Sequence, residues 1–125
     1  MSTINVNFIG VPAPAPVDPT PIQNPVLNGS TPDGGGTVRL QIPKVINNGN
    51  YAKDFSWSVS NILNGTFNRV ETTLNGVVTA QPVSGTITAQ PGEEYGFAIY
   101  MDTPVDTTPG ATYPSVTADY SVQWV

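Results

Sequence analysis

Apolar and polar side chains alternate with a period of two along much of this chain, and that period predicts strands, whose successive side chains face opposite sides of a sheet. Near the N-terminus Ile4, Val6 and Phe8 fall on one side and Asn5 and Asn7 on the other. At the C-terminus Ala118, Tyr120, Val122 and Trp124 alternate with Asp119, Ser121 and Gln123, giving one buried and one wet face. Between these ends, short apolar runs bounded by turn residues predict strands at 37–42, 55–60, 66–74, 77–83, 86–89 and 95–102, with the last at 115–124. Asn75-Gly76 separates two of these runs and suits a type I′ hairpin, since both central residues of that turn take positive φ. Trp57 alternates with Phe55 and Val59, which marks it as a core residue.

Proline punctuates the pattern at 12, 14, 16, 19, 21 and 25, removing backbone donors and fixing φ, so 11–25 cannot be a central strand. It is expected to form an extended, polyproline-like tether. The glycines at 34, 35 and 36 close this irregular quarter. The expected organisation is an N-terminal strand over 1–10, a Pro/Gly-rich tether over 11–36 and one β domain over 37–125. The expected fold class is all-β, an immunoglobulin-like or jelly-roll β-sandwich with an N-terminal extension strand.

Composition sharpens this picture. At 125 residues, with 38% apolar and 10% charged positions, the chain suits one folded domain. Thirteen prolines and twelve glycines penalise helices. The net charge is −5 and the basic residues are four, Arg39, Lys44, Lys53 and Arg69, which argues against nucleic acid and anionic membranes as partners. No apolar run approaches the roughly 20 residues that cross a bilayer, so membrane insertion is not expected. The N-terminus lacks a basic stretch followed by an apolar one, which fits either a chain made without a secretory leader or a mature form.

Cysteine and histidine are both absent, which removes thiol chemistry, the usual general base and the commonest transition-metal ligands. No catalytic, cofactor or metal residue is assigned. The acid pairs Glu93-Glu94 and Asp102 with Asp106 could serve glycoside hydrolysis or, for the second, calcium, yet turn chemistry accounts for both. Gly34 to Gly36 lack the lysine and helix of a phosphate loop. Tyr51, Trp57, Tyr95, Tyr100, Tyr113 and Trp124 could line a sugar-binding face, with Tyr100 the better candidate for an exposed ring. The sequons at Asn28 and Asn64 matter only in a glycosylating pathway.

The two ends carry the strongest functional pattern. A strand that precedes a tether must pair, either within its own sandwich or by strand addition to a neighbour. Val6-Asn7-Phe8-Ile9-Gly10 resembles the donor segment of chaperone–usher pilins, the subunits of type 1 and P-type pili, and residues 118–125 are similar to that family's closing strand with its penultimate aromatic. The resemblance implies an incomplete immunoglobulin-like sandwich, completed by a neighbour's N-terminal strand. Ile4, Val6, Phe8 and Gly10 would then form the donor strand, and Tyr120, Val122 and Trp124 the acceptor edge that also meets a periplasmic chaperone.

On that basis the chain is expected to be a non-catalytic subunit of an extracellular surface fibre, a homopolymer built by strand exchange. Two alternatives stand beside it. One is a virion or particle subunit with an embracing N-terminal arm; the other is a small carbohydrate-binding module.

Overall fold

Asn75 and Gly76, with φ of 50° and 79°, turn β3 (Thr66–Leu74) back onto β4 (Val77–Gln81), so that Leu74 faces Val77 across the hairpin. Positive φ at both positions is what a two-residue turn needs to match the twist of its strands. The computed structural model describes residues 2–6, 10, 13–27, 35–104, 108–110 and 115–125. The remaining strands are β1 (Gly36–Ile46), β2 (Lys53–Leu63), β5 (Ser84–Ala89), β6 (Glu94–Thr103) and β7 (Thr117–Trp124). Each strand predicted between 37 and 124 is present, β1, β2, β5 and β6 longer by a few residues and β4 and β7 shorter.

Two antiparallel sheets form a β-sandwich, one ordered β1-β6-β3-β4 and the other β5-β2-β7. Apart from the β3–β4 hairpin, consecutive strands are not hydrogen-bonded neighbours, and the chain crosses between sheets at nearly every connection. The alternation explains the layers. Val38, Leu40 and Ile42 of β1, Val70 of β3, and Phe97, Ile99 and Met101 of β6 point inward to meet Phe55, Trp57, Val59 and Val122 from the second sheet. Each such side chain contributes about 1.5–3 kcal/mol on burial.

Phe55 is the hub of this core. Its ring lies 5.8 Å from Tyr95, 6.1 Å from Phe97, 6.2 Å from Trp57 and 5.8 Å from Trp124. Gly85 lies opposite Trp57 on β5, where a side chain would collide with the indole: an added Cβ would sit 2.5 Å from the ring.

The sandwich has two open sides. Thr20 to Gln23 border Pro43 to Ile46 at the β1 end and Ser121 to Trp124 at the β7 end, so β1 and β7 share one side. β4 and β5 share the other, where Val77 and Thr79 approach Ile87 and Thr88.

Two expectations change. The 13–27 stretch is extended and outside both sheets, but it is not a free tether: it is bound along the β1/β7 side through Ala15, Val17, Asp18, Thr20, Asn24 and the Pro25 carbonyl. The segment expected to be an N-terminal strand is unpaired at Ser2 to Val6 and at Gly10, and all of these residues are exposed. Phe8 lies outside the described residues.

Candidate interaction surfaces

Proline removes main-chain donors, so a proline-rich segment can attach to a body only through the N–H groups left between prolines and through side chains that supply what is missing. Residues 15–25 do this with asparagine. The Val17 N–H donates to Asn50 Oδ1 at 2.7 Å, the Asn50 N–H donates to the Val17 carbonyl at 3.2 Å, and Asn50 Nδ2 donates to the Ala15 carbonyl at 2.9 Å. Asn48 repeats the device, accepting from the Thr20 N–H and donating to Thr20 Oγ1, both at 2.7 Å. Asp18 accepts a hydrogen bond from the Tyr51 hydroxyl and lies 3.6 Å from Lys53 Nζ. The tyrosine hydrogen bond, then the lysine charge, hold the Asp18 carboxyl below its usual value, and the same group of contacts raises Lys53.

The loop that receives this strap is itself fixed by a buried amide. Asn47 is fully buried, and its Nδ2 donates to the carbonyls of Tyr51 and Ala89 at 3.0 and 2.9 Å, while its Oδ1 accepts from the Gly49 N–H. Gly49 permits the close approach: a Cβ there would lie 2.4 Å from the Val17 carbonyl oxygen.

Further along, the strap closes the outer edge of β7. Asn24 Nδ2 donates to the Val122 carbonyl at 3.0 Å, and Asn24 Oδ1 accepts from the Val122 N–H at 2.7 Å. One side-chain amide thus imitates a residue of a neighbouring strand. The Tyr120 hydroxyl donates to the Pro25 carbonyl, and Trp124 Nε1 donates to the Thr20 carbonyl at 3.0 Å. Ile22 and Leu27 pack against the core from the same segment. Tyr120, Val122 and Trp124, expected to form an acceptor edge for a neighbour, are therefore engaged by residues 20–25 of their own chain.

The projected donor side chains are placed differently. Ile4 and Val6 are 86% and 64% exposed, and Gly10 has nothing within 4 Å of the position a Cβ would take. Among the described residues ahead of the Ala15 attachment, these two apolar side chains thus stand in solvent.

On the outer face of the larger sheet, β1, β6 and β3 place Arg39, Tyr100 and Arg69 in one row. The Arg69 guanidinium carbon lies 3.9 Å from the Tyr100 ring centroid, and Arg39 Nε donates to the Tyr100 hydroxyl at 3.0 Å. Arg69 also pairs with Glu71 at 2.8 Å, which lowers the Glu71 pKa. The Arg69 guanidinium thus covers one face of the Tyr100 ring, which is half-buried rather than the open ring that its sequence position suggested. Tyr113 lies outside the described residues.

The acid pairs resolve into turns and networks. Glu93 Oε1 accepts from the Gln90 N–H at 2.7 Å, Glu94 pairs with Lys44 at 3.2 Å, and Asp102 accepts from Thr37 and Asn68. Asp106 lies outside the described residues. Among the described residues no group of three or more acidic side chains could hold a metal ion, and no buried side-chain polar atom lacks a hydrogen-bond partner. Asn64 of the second sequon takes φ of 63° and donates to the Ser115 carbonyl at 3.1 Å.

Comparison with protein-family models, curated proteins and solved structures gives no match.

Sequence reasoning missed the residues that fix the strap: Asp18, Asn24, Asn48 and Asn50. The pattern that could have found them is the run Asn47-Asn48-Gly49-Asn50, rich in side-chain amides, in a chain whose proline segment is short of donors.

Proposed function

We propose that this protein is a non-catalytic structural subunit that self-assembles through its N-terminal arm. The observation that carries this reading is the contrast within the first quarter of the chain: residues 15–25 are fixed to the sandwich by many polar contacts, while Ile4 and Val6 just beyond them are unpaired and largely in solvent. An alternating apolar segment on an anchored root is suited to strand addition, in which main-chain hydrogen bonds and alternate side-chain burial act together.

The resemblance to chaperone–usher pilins supports the donor role of the arm and a surface-fibre setting. It implies an open groove beside the C-terminal strand, however, and here the strap fills that side. Such a body is complete without a neighbour's strand, so in this reading no chaperone is needed to hold an open groove during folding.

That same self-completion favours the particle reading as the second choice, because an independently closed body with an exchanging arm also fits a virion or shell subunit. Electron microscopy of the full chain and of the chain lacking residues 2–10 tests both. Filaments or closed particles that vanish with the deletion, leaving a folded monomer, support arm-mediated assembly, and filaments against shells separates the two settings. Assemblies that survive the deletion overturn it.

A further inference from the structure

The edges of the two sheets are guarded unequally. A strand edge exposes unpaired N–H and C=O groups, and proteins protect it with lysine, proline, a bulge or a covering segment. The β1 edge carries Pro43, Lys44 and a register shift between Ile42 and Val45, and the strap crosses it. The β7 edge is closed by Asn24 and its neighbours.

Among the described residues, neither β4 nor β5 carries any of these devices. β4 reads Val77-Val78-Thr79-Ala80-Gln81, with no charge and no proline, and its first four residues are exposed. Val77 and Val78 are 66% and 56% exposed. β5 reads Ser84-Gly85-Thr86-Ile87-Thr88-Ala89, equally uncharged. Between them runs a cleft of about 430 Å³ lined by Leu74, Val77, Ile87 and Tyr95 together with three threonines and the amides of Asn75 and Gln81.

We infer that this β4/β5 side is the docking site for the N-terminal arm of a second copy of this chain. The inference rests on the proposed arm-mediated assembly and names its acceptor. The chemistry matches. The arm segment Ser2 to Val6 is uncharged, β-branched at alternate positions and unpaired, and the β4 edge is uncharged, β-branched and unpaired, in a chain of net charge −5 where any acidic edge would repel its neighbours. Ile4 and Val6 would cover Val77 and the apolar part of the cleft, while the arm's main chain extends the sheet beyond β4.

Geometry sets the polarity. The arm's root at Ala15 is held by Asn50 on the strap side, and the acceptor is on the opposite side. The nine residues from Val6 to the root reach about 30 Å when extended at ~3.3 Å each, enough to cross onto a neighbour. Donor and acceptor are different surfaces, so the contact is either exchanged reciprocally in a two-fold dimer or repeated head-to-tail into a ring or filament.

A complementation experiment tests this. Val77→Lys places a guarding charge on the acceptor and Val6→Asp a charge on the donor; both positions are exposed, so both variants should fold, as circular dichroism checks. By light scattering, each variant alone is expected to be a monomer, and an equimolar mixture is expected to give a one-to-one dimer, since one intact donor meets one intact acceptor. If Val77→Lys assembles like the parent while Val6→Asp does not, the acceptor is elsewhere and the arm reading stands. If both variants are monomeric and mixing restores nothing, the β4/β5 assignment is overturned. If Val6→Asp assembles as the parent does, the arm reading falls as well.

Discussion

The side-chain amide of Asn24 and the main chain of Val122, 98 positions apart, exchange two hydrogen bonds at 3.0 and 2.7 Å, so a single side chain closes the ladder at the outer edge of β7. The pairing makes the proline-rich strap part of the fold rather than a linker. It also sets the fixed residues 15–25 apart from the exposed, unpaired residues 2–6.

Replacing Asn24 by Ala leaves the Val122 N–H and carbonyl without their partner in a partly buried place. A loss of about 1–3 kcal/mol is expected, because an unsatisfied buried group costs its desolvation. Thermal unfolding reads the loss, and hydrogen exchange at the Val122 amide should accelerate. Asn24→Asp retains the acceptor but not the donor and should fall between.

Gly49→Ala tests whether the strap can detach on its own. The new Cβ would meet the Val17 carbonyl oxygen at 2.4 Å and Pro19 N at 3.0 Å, both main-chain atoms that cannot move without shifting the strap. The expected outcome is faster proteolytic cleavage within residues 13–27, with the near-ultraviolet signature of the Phe55–Trp57 core retained. Loss of the core signal would show that strap and sandwich unfold together.

Gly85→Ala acts on the core instead. Its Cβ would lie 2.5 Å from the Trp57 ring, which is packed by Phe55 and Phe97 and cannot yield freely. Overpacking of this kind costs about 1–3 kcal/mol. A lowered midpoint in urea with an altered Trp fluorescence spectrum is expected, whereas an unchanged midpoint would show that the indole has room to move.

The Asp18 latch gives a pH dependence whose direction follows from its contacts. Its carboxyl is held below the ordinary aspartate value, so its contribution is present above that value and is lost as pH falls through the lower, folded one. Lys53 is raised, so its contribution is present below its ordinary value and is lost as pH rises through the higher, folded one. Exchange protection of the Val17 and Thr20 amides should therefore weaken below about pH 4 and again in strong alkali. Asp18→Asn should flatten the acid side, and an unchanged profile would remove Asp18 from the latch.

Much of the fold was legible because it rests on local alternation. Phe55, Trp57 and Val59 announce an inward face within five positions, and Asn75-Gly76 specifies its hairpin with two residues. The strap was not legible because its contacts are long-range and use side chains: nothing local tells that Asn24 will meet Val122, or Asn50 meet Val17. Tyr100 shows the same limit. Arg39 and Arg69 are 30 positions apart, and only the β1-β6-β3 register brings both to its ring. In the candidate site, the apolar alternation of Ile4 and Val6 was visible, but the engaged state of the β7 edge and the bare state of β4 depend on sheet order, which alternation does not encode.

The central claim, assembly through the arm, is tested most directly by the mass of the full chain in solution, measured by light scattering after size exclusion over a range of concentrations and repeated on Val6→Asp. The account predicts oligomers or filaments whose mass grows with concentration for the parent chain, and for the variant a folded monomer of the 13.2 kDa chain mass at every concentration. A parent chain that stays monomeric throughout, or a variant that assembles as the parent does, would contradict it.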